Sequence, residues 1–284
     1  MLLLLLLLLS PLVVFTERCH PDDKAAILKF KNSFSNGPQL LSGWTPDSDC
    51  CNRFECDETT NRVTDFSITN SDLAGTIPDA IGDLKYLKTL RLHKMPFLIG
   101  EIPKSPIPSS LSTLPNMIGL DLSRNRLTGS IPESFGQLVS PSLQGLSLSH
   151  NMLSGDIPKS IGNMIIYQID LSRNNFSGDA SMLFGASKNT SVIDISRNNF
   201  EFDFTNVRFM AETLNQLDIS HNKIYGKIPS QILEASFLQF LNVSYNRLCG
   251  EIPSPWKLKY RSESFDNSSF IHKSQSLFVW ITTR

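Results

Sequence analysis

Apolar and polar positions along this chain fall into a pattern that recurs. The clearest copy is residues 214–229, LNQLDISHNKIYGKIP, which reads as L-x-x-L-x-L-x-x-N-x-L-x-G-x-I-P. Leu217 and Ile219 alternate with polar neighbours at period two, which predicts a short strand with its apolar side turned inward. Asn222 ends that strand, and its amide is suited to hydrogen-bond the backbone of the adjacent turn. Ile224, Ile228 and Ile232 continue the apolar lining on the return path. One such unit cannot bury its apolar side alone. It requires a copy above and a copy below, so the pattern predicts a solenoid.

The first apolar residue of each L-x-L pair marks the copies: Phe66, Leu90, Leu120, Leu146, Ile169, Ile193, Leu217 and Leu241. Their spacings are 24, 30, 26, 23, 24, 24 and 24 residues. A register near 24 predicts an α/β leucine-rich repeat solenoid with a concave parallel β-sheet. Strands stacked at about 4.8 Å make that sheet roughly 35 Å wide. The asparagine position reads Asn70, Asn125, Asn151, Asn174, Asn198, Asn222 and Asn246, with Pro96 at or beside it in the second repeat. A G-x-I-P segment begins at Gly75, Gly100, Gly129, Gly155, Gly226 and Gly250, and is missing from the fifth and sixth repeats. The spacing of 30 comes from residues 101–111, EIPKSPIPSSL, where two Ile-Pro units stand back to back. Two readings stand: a deletion boundary that joins one repeat end to another, or a surface loop.

Four segments follow. Residues 1–16 are read as a signal peptide, because MLLLLLLLLSPLVVF is apolar, uncharged and too short to span a bilayer comfortably; a signal anchor is the alternative. Residues 17–60 are a cysteine-containing N-terminal cap. In its DDKAAILKFKNSF stretch, Ala26, Ile27, Phe30 and Phe34 fall at helical spacing behind Pro21, Asp22 and Asp23. Residues 61–253 carry about eight repeats, and the repeat pattern stops there, leaving 254–284 as a divergent tail.

Composition narrows the compartment and the partners. The net charge of −1 gives no global attraction for nucleic acid or anionic lipid. Five cysteines, Cys19, Cys50, Cys51, Cys56 and Cys249, fit disulfides in an oxidising compartment. Metal binding by Cys50, Cys51 and Cys56 is disfavoured, because adjacent cysteines do not give the usual zinc spacing. Sequons at Asn175, Asn189, Asn242 and Asn267 agree with a secreted glycoprotein.

Candidate chemistry lies on the outward positions of the concave sheet. One column reads Ser67, Arg91, Asp121, Ser147, Asp170, Asp194, Asp218 and Asn242. The next reads Thr69, His93, Ser123, Ser149, Ser172, Ser196, Ser220 and Ser244. Beside it run Asn70, Lys94, Arg124, His150, Arg173, Arg197, His221 and Tyr245. Such columns suit recognition of another folded surface, and they equally suit a solvated sheet face with no partner. Catalysis is disfavoured. Asp218, Ser220 and His221 are neighbours, but the same positions recur as Asp170, Ser172 and Arg173, and a nucleophile needs one unique base. No phosphate loop, dinucleotide fingerprint or metalloprotease motif occurs, so no cofactor or metal is expected.

Several stretches are more specific than the repeat alone: 17–34 (ERCHPDDKAAILKFKNSF), 42–63 (SGWTPDSDCCNRFECDETTNRV), 82–96, 170–190, and the pair LDISHNKIYGKIP and LNVSYNRLCGEIP. Together they resemble plant polygalacturonase-inhibiting proteins along almost the whole chain to about Pro253. The resemblance implies a secreted plant cell-wall protein of defence that binds fungal endopolygalacturonase through its concave sheet and covers the enzyme's substrate cleft. It implies cap bridges Cys19–Cys50 and Cys51–Cys56. It also implies contact with pectin (homogalacturonan) through basic residues, for which Lys88, Arg91, Lys94, Arg124, Arg173 and Arg197 are the candidates. The sequence departs from the family in three places. It has fewer repeats, with the gap at the 101–111 junction. It lacks the terminal cysteines, which leaves Cys249 without a partner, and its Cys51–Cys56 loop is shorter. The competing readings are a ligand-binding ectodomain or decoy of the receptor-like type, a flat ice-binding ladder, and a truncated copy that inhibits nothing.

Overall fold

The computed structural model describes residues 18–101, 114–137, 142–252 and 262–271. The expected signal peptide and nearly all of the 101–111 junction lie outside these residues.

The cap forms first along the chain. Helix α1 (Pro21–Asn32) starts with a proline in its first turn, and the His20 side chain accepts a hydrogen bond from Asp22 N–H. Phe34, expected at its end, lies just beyond it and is buried. The aromatic residues of the cap meet the first repeat: Phe66 packs edge-on to Phe30 at 4.9 Å and stacks on Phe54 at 4.6 Å. Cys19 is bonded to Cys50 and Cys51 to Cys56. Asp23 does more than start a helix. It is fully buried, accepts from Arg62 Nη2 at 2.7 Å and Nε at 3.1 Å, and accepts Val63 N–H at 2.7 Å. A buried carboxylate needs this degree of pairing, and it clamps the cap to the first repeat strand.

The concave sheet runs without a break from Val63–Thr69 through Thr89–His93, Gly119–Asp121, Ser142–Ser147, Ile165–Asp170, Val192–Asp194 and Gln216–Asp218 to Phe240–Asn242. All eight marker residues are direct partners of their neighbours, in parallel. Leu90 pairs with Leu120 across the spacing of 30, so the extra residues leave the sheet register intact. Glu55–Cys56 closes the N-terminal edge in antiparallel pairing with Val63–Thr69.

A second parallel sheet was not expected. It consists of Ile99–Glu101, Arg126–Gly129, Met152–Asp156, Asn175–Gly178 and Asn199–Phe200, and three further strands, Tyr225–Lys227, Arg247–Glu251 and Ser269–Ile271, make a third. The strand-ending turn sends each return segment out at the same angle, so equivalent residues stack. Short 3₁₀ turns follow the I-P positions, as at Asp79–Asp83 after Pro78 and Ser230–Glu234 after Pro229.

The asparagine ladder holds the repeats together. Asn198 Oδ1 accepts Phe176 N–H of the preceding repeat at 3.0 Å, and its Nδ2 donates to Leu171 O and Ile195 O. Asn125, Asn151, Asn174, Asn222 and Asn246 repeat this arrangement. Asn70, expected both at the ladder position and in the column beside it, is corrected in the first. It adopts φ 52° and belongs to the left-handed column one residue earlier, with Lys94 and Arg124. In the second repeat, buried Met95 stands at the ladder position, and Asn125 of the next repeat accepts its N–H.

The repeat geometry also continues past its expected end at 253. Val243 N–H donates to Ser264 O, and Tyr245 N–H to Asp266 O, as Ile219 and His221 donate to Asn242 and Ser244 one repeat earlier. Phe265 is buried where Val243 lies in the previous turn, and Asn267 takes the left-handed conformation. Ser268 reaches the ladder position, but its short side chain leaves Oγ buried without a hydrogen-bond partner. Cys249 is a free, exposed thiol whose cross-strand partner is Ser269.

Candidate functional site

Strand pairing brings the outward columns into register. Arg91, Asp121, Ser147, Asp170, Asp194, Asp218 and Asn242 are successive partners across the sheet. Each aspartate ends its strand by accepting the N–H of the serine two residues on: Asp121 from Ser123, Asp170 from Ser172, Asp194 from Ser196 and Asp218 from Ser220. This corrects the serine column. Ser123, Ser149, Ser172, Ser196, Ser220 and Ser244 are buried beneath the aspartates and are not contact surface. Their carbonyls accept the N–H of the left-handed residue in the preceding repeat, as Ser196 O does from Arg173 N.

The left-handed column is the exposed one. Lys94, Arg124, His150, Arg173, Arg197, His221 and Tyr245 all have φ between 54° and 58°, a region unusual for residues with a Cβ. The two flanking ladders enforce it and splay these side chains outward. Lys94, Arg124, Arg173 and Arg197 are exposed, whereas His150 and His221 are half-buried. Burial, then the neighbouring Arg124 and Arg173, lower the His150 pKa. Burial and Arg197 lower that of His221, which stacks on Tyr245 at 4.1 Å. A basic column therefore runs beside an acidic one.

The acidic column is uneven. Asp121 sits 3.4 Å from Arg91 Nε, with His93 also beside it. Among the described residues, Asp170, Asp194 and Asp218 form no ion pair. Burial raises the pKa of Asp194 to about 6 against the hydrogen bonds from Ser196, and the flanking Asp218 and Asp170 push the same way. Asn242 ends the column with both sides of its amide engaged: Nδ2 donates to Asp218 Oδ2 and Ser220 Oγ, and Oδ1 accepts from Ser244. Of the sequon asparagines, Asn242 is thus half-buried and hydrogen-bonded, while Asn175, Asn189 and Asn267 are exposed.

One column was missed. The residue before each marker also faces outward: Thr89, Gly119, Gly145, Gln168, Val192, Gln216 and Phe240. From Thr89 to Gln216 it lines, with Asp121, Asp170 and Asp194, an open depression of about 460 Å³ in which Gly119 and Gly145 are neighbours. Two glycines on adjacent strands were the available signal, since strands disfavour glycine. Asp218, Ser220 and His221 do not assemble into a catalytic group: Ser220 is buried, and His221 stacks on Tyr245. The sulfurs of Cys50, Cys51 and Cys56 lie together because two disulfides bring them there.

An unbroken parallel sheet with an outward face of charged and amide side chains defines a ligand-binding leucine-rich repeat protein. Residues 20–55 match the leucine rich repeat N-terminal domain, and 116–138, 142–164, 213–234 and 237–258 match the Leucine Rich Repeat model. A polygalacturonase inhibitor of Pyrus communis is 42% identical over 228 residues, covering 63% of this chain and 67% of that protein. Polygalacturonase inhibitor 2 of Arabidopsis thaliana is 44% identical over 245 residues, covering 66% and 72%. With a Vitis vinifera inhibitor the match is 44% over 104 residues, 36% of this chain and only 31% of that one. Among solved structures, a plant ice-binding protein aligns with TM-score 0.59 and 32% identity over 89% of this chain and 96% of its own. The Arabidopsis receptor kinase HAESA, in complex with a peptide hormone and a co-receptor, aligns at 0.73 and 26% over 89% and 42%. The chain belongs to the polygalacturonase-inhibitor family of leucine-rich repeat proteins, which are binding proteins rather than enzymes. Among the described residues, no helix is long and apolar enough to cross a membrane.

Proposed function

We propose that this protein is a secreted plant cell-wall inhibitor that binds a fungal endopolygalacturonase through its concave face. The observation that carries the reading is the unbroken register of the concave sheet, which makes the basic and acidic columns one continuous rigid surface. Rigidity matters because a pre-formed surface loses little conformational freedom on binding. Adjacent stripes of opposite charge orient a partner as well as attract it. The working residues are Arg124, Arg173, Arg197, Asp170, Asp194 and Asp218, with His150, His221, Ser147, Asp121, Arg91, His93 and Lys94 around them. Inhibition follows from covering the enzyme's substrate cleft. Contact with homogalacturonan through the basic column is a separate expectation of the same reading.

The test is release of reducing ends from polygalacturonic acid by a panel of fungal endopolygalacturonases with purified protein present. Slowing of at least one enzyme at micromolar protein is expected; no slowing across the panel contradicts the proposal. The likeness to a peptide-bound receptor ectodomain favours a second reading, capture of an extended ligand without inhibition. Binding without slowing would distinguish it.

A further inference from the structure

The left-handed column ends in His221, Tyr245 and Asn267. The Tyr245 ring stacks on His221 of the preceding repeat, with 4.1 Å between centroids and 7° between planes. Tyr245 N–H donates to Asp266 O as His221 N–H donates to Ser244 O, so Asn267 stands to Tyr245 as Tyr245 stands to His221. Asn267 also shares the left-handed conformation, with φ 49° against 54° for the other two. His221 therefore covers one face of the Tyr245 ring, and the other face looks toward Asn267. Among the described residues, His221 is the one ring stacked on Tyr245, which stays 44% exposed. Asn267 itself is exposed, and it opens Asn267-Ser268-Ser269, a glycosylation acceptor pattern. The other acceptor asparagines stand elsewhere. Asn175 accepts from Asn199 Nδ2 on the outer sheet, Asn242 donates to Asp218 and Ser220, and Asn189 precedes the strand Val192–Asp194.

We infer that Asn267 carries an N-linked glycan whose first N-acetylglucosamine lies on the open face of Tyr245 as the last rung of the column. The two surfaces suit each other. A pyranose presents a face of C–H groups with partial positive charge, and a tyrosine ring presents a negative face. The hydroxyls of both stay in water. The transfer joins Asn267 Nδ2 to C1 of the sugar and breaks the bond from C1 to the diphosphate of a lipid-linked oligosaccharide donor. The lipid diphosphate leaves, and the amide gives up one proton. Transfer acts on the chain before it folds, so the later pairing of Ser269 with Cys249 does not block it. A sugar at this rung bounds the concave contact surface at its C-terminal end. The inference rests on passage through the secretory pathway, one part of the function proposed above, and not on inhibition.

The experiment expresses the full chain in plant cells with its own leader and maps glycopeptides by mass spectrometry. Oxidation of Tyr245 by hydroxyl radicals is then measured on the same protein in three forms: intact, trimmed by an endoglycosidase to one N-acetylglucosamine, and stripped by an amidase that removes the whole glycan. Ser269→Ala, which keeps Asn267 and removes the acceptor pattern, gives a fourth form. Asn267 is expected to be occupied. Tyr245 should react equally in the intact and trimmed forms, and about twofold faster once the sugar that shields one ring face is gone. Ser269→Ala should match the stripped form, and Tyr225 on the outer sheet should not change. Equal Tyr245 reactivity in the trimmed and stripped forms overturns the inference. So does a bare Asn267 in a protein with glycans at Asn175 or Asn189, a result that leaves secretion standing. No glycan at any acceptor overturns both the inference and the secreted reading. An occupied Asn267 over a shielded Tyr245, in a protein that slows no polygalacturonase, upholds the inference and contradicts inhibition alone.

Discussion

The concave sheet carries two polar layers within a few residues of each other, and they do different work. The Ser and Asn columns are polar but buried, with Ser172 4% exposed and Asn198 9%. The asparagine amides there close backbone gaps left by the solenoid turn, and serine hydroxyls bond the side chains above them, as Ser172 Oγ does with Asp170. The Asp and Arg columns rise from the same strands and face outward. One or two positions along a repeat thus separate a side chain that holds the fold from one free to meet a partner. A polar residue repeated at every turn is therefore no sign of a site until its hydrogen bonds are traced.

Substitutions should separate the two layers by size of effect. Asp23→Ala breaks the buried clamp, leaving Val63 N–H without its acceptor and Arg62 with only the exposed Asp22 carboxylate at 3.6 Å. A loss of about 3–5 kcal/mol in urea unfolding is expected, and a loss below about 1 kcal/mol would show that water replaces the carboxylate. Asn198→Ala strips Phe176 N–H of its acceptor and takes from Leu171 O and Ile195 O one of the two asparagine donors that each holds, and should cost about 1–3 kcal/mol in the same measurement.

Asp194 tests the boundary between the layers through pH. Its folded pKa, about 6, lies above its unfolded value, so the folded state holds the proton more tightly. The stabilisation is fully present below about pH 4 and is lost as pH rises through about 6. The stability of Asp194→Asn relative to the parent should therefore rise between about pH 4 and 6 and then level off, by about 3 kcal/mol in all. A difference independent of pH would mean that Asp194 is no more buried than its neighbours.

Ser268→Asn should extend the ladder by one rung and place an amide beside Leu248 N–H. The expected gain is about 1 kcal/mol, read as a raised Tm; a fall in Tm would mean that the last turn is too tight for asparagine. Arg173→Ala, on the exposed layer, should change stability by no more than about 0.5 kcal/mol. A larger loss would place Arg173 with the ladder.

Much of this was legible in the sequence. The eight markers pair as their L-x-L positions indicate, because an apolar residue at that position has one place to go in a stacked array. The serine column was misassigned because alternation predicts direction, not depth. The strand ends at the aspartate, the chain turns, and Ser172 falls under the sheet edge instead of above it. Asn70 was placed one step out because the first repeat lacks the asparagine that fixes the count elsewhere. The tail was read as divergent because, among its described residues, Phe265 alone is a buried apolar side chain, while Ser264 and Asp266 are held by backbone bonds that leave no hydrophobic pattern. The glycine column escaped notice because its information lies in missing side chains.

The central claim is that the outward columns of the concave sheet meet the partner and the outer sheet does not. Hydroxyl-radical footprinting with and without a bound endopolygalacturonase tests it directly, because both faces carry exposed reactive side chains. Phe240 and Tyr245 stand on the concave side and Met152 and Tyr225 on the outer sheets, all between 44% and 51% exposed. Loss of oxidation at Tyr245, Phe240 and His150, with Met152 and Tyr225 unchanged, is the predicted result. Protection of Met152 and Tyr225 with the concave residues still reactive would contradict the account.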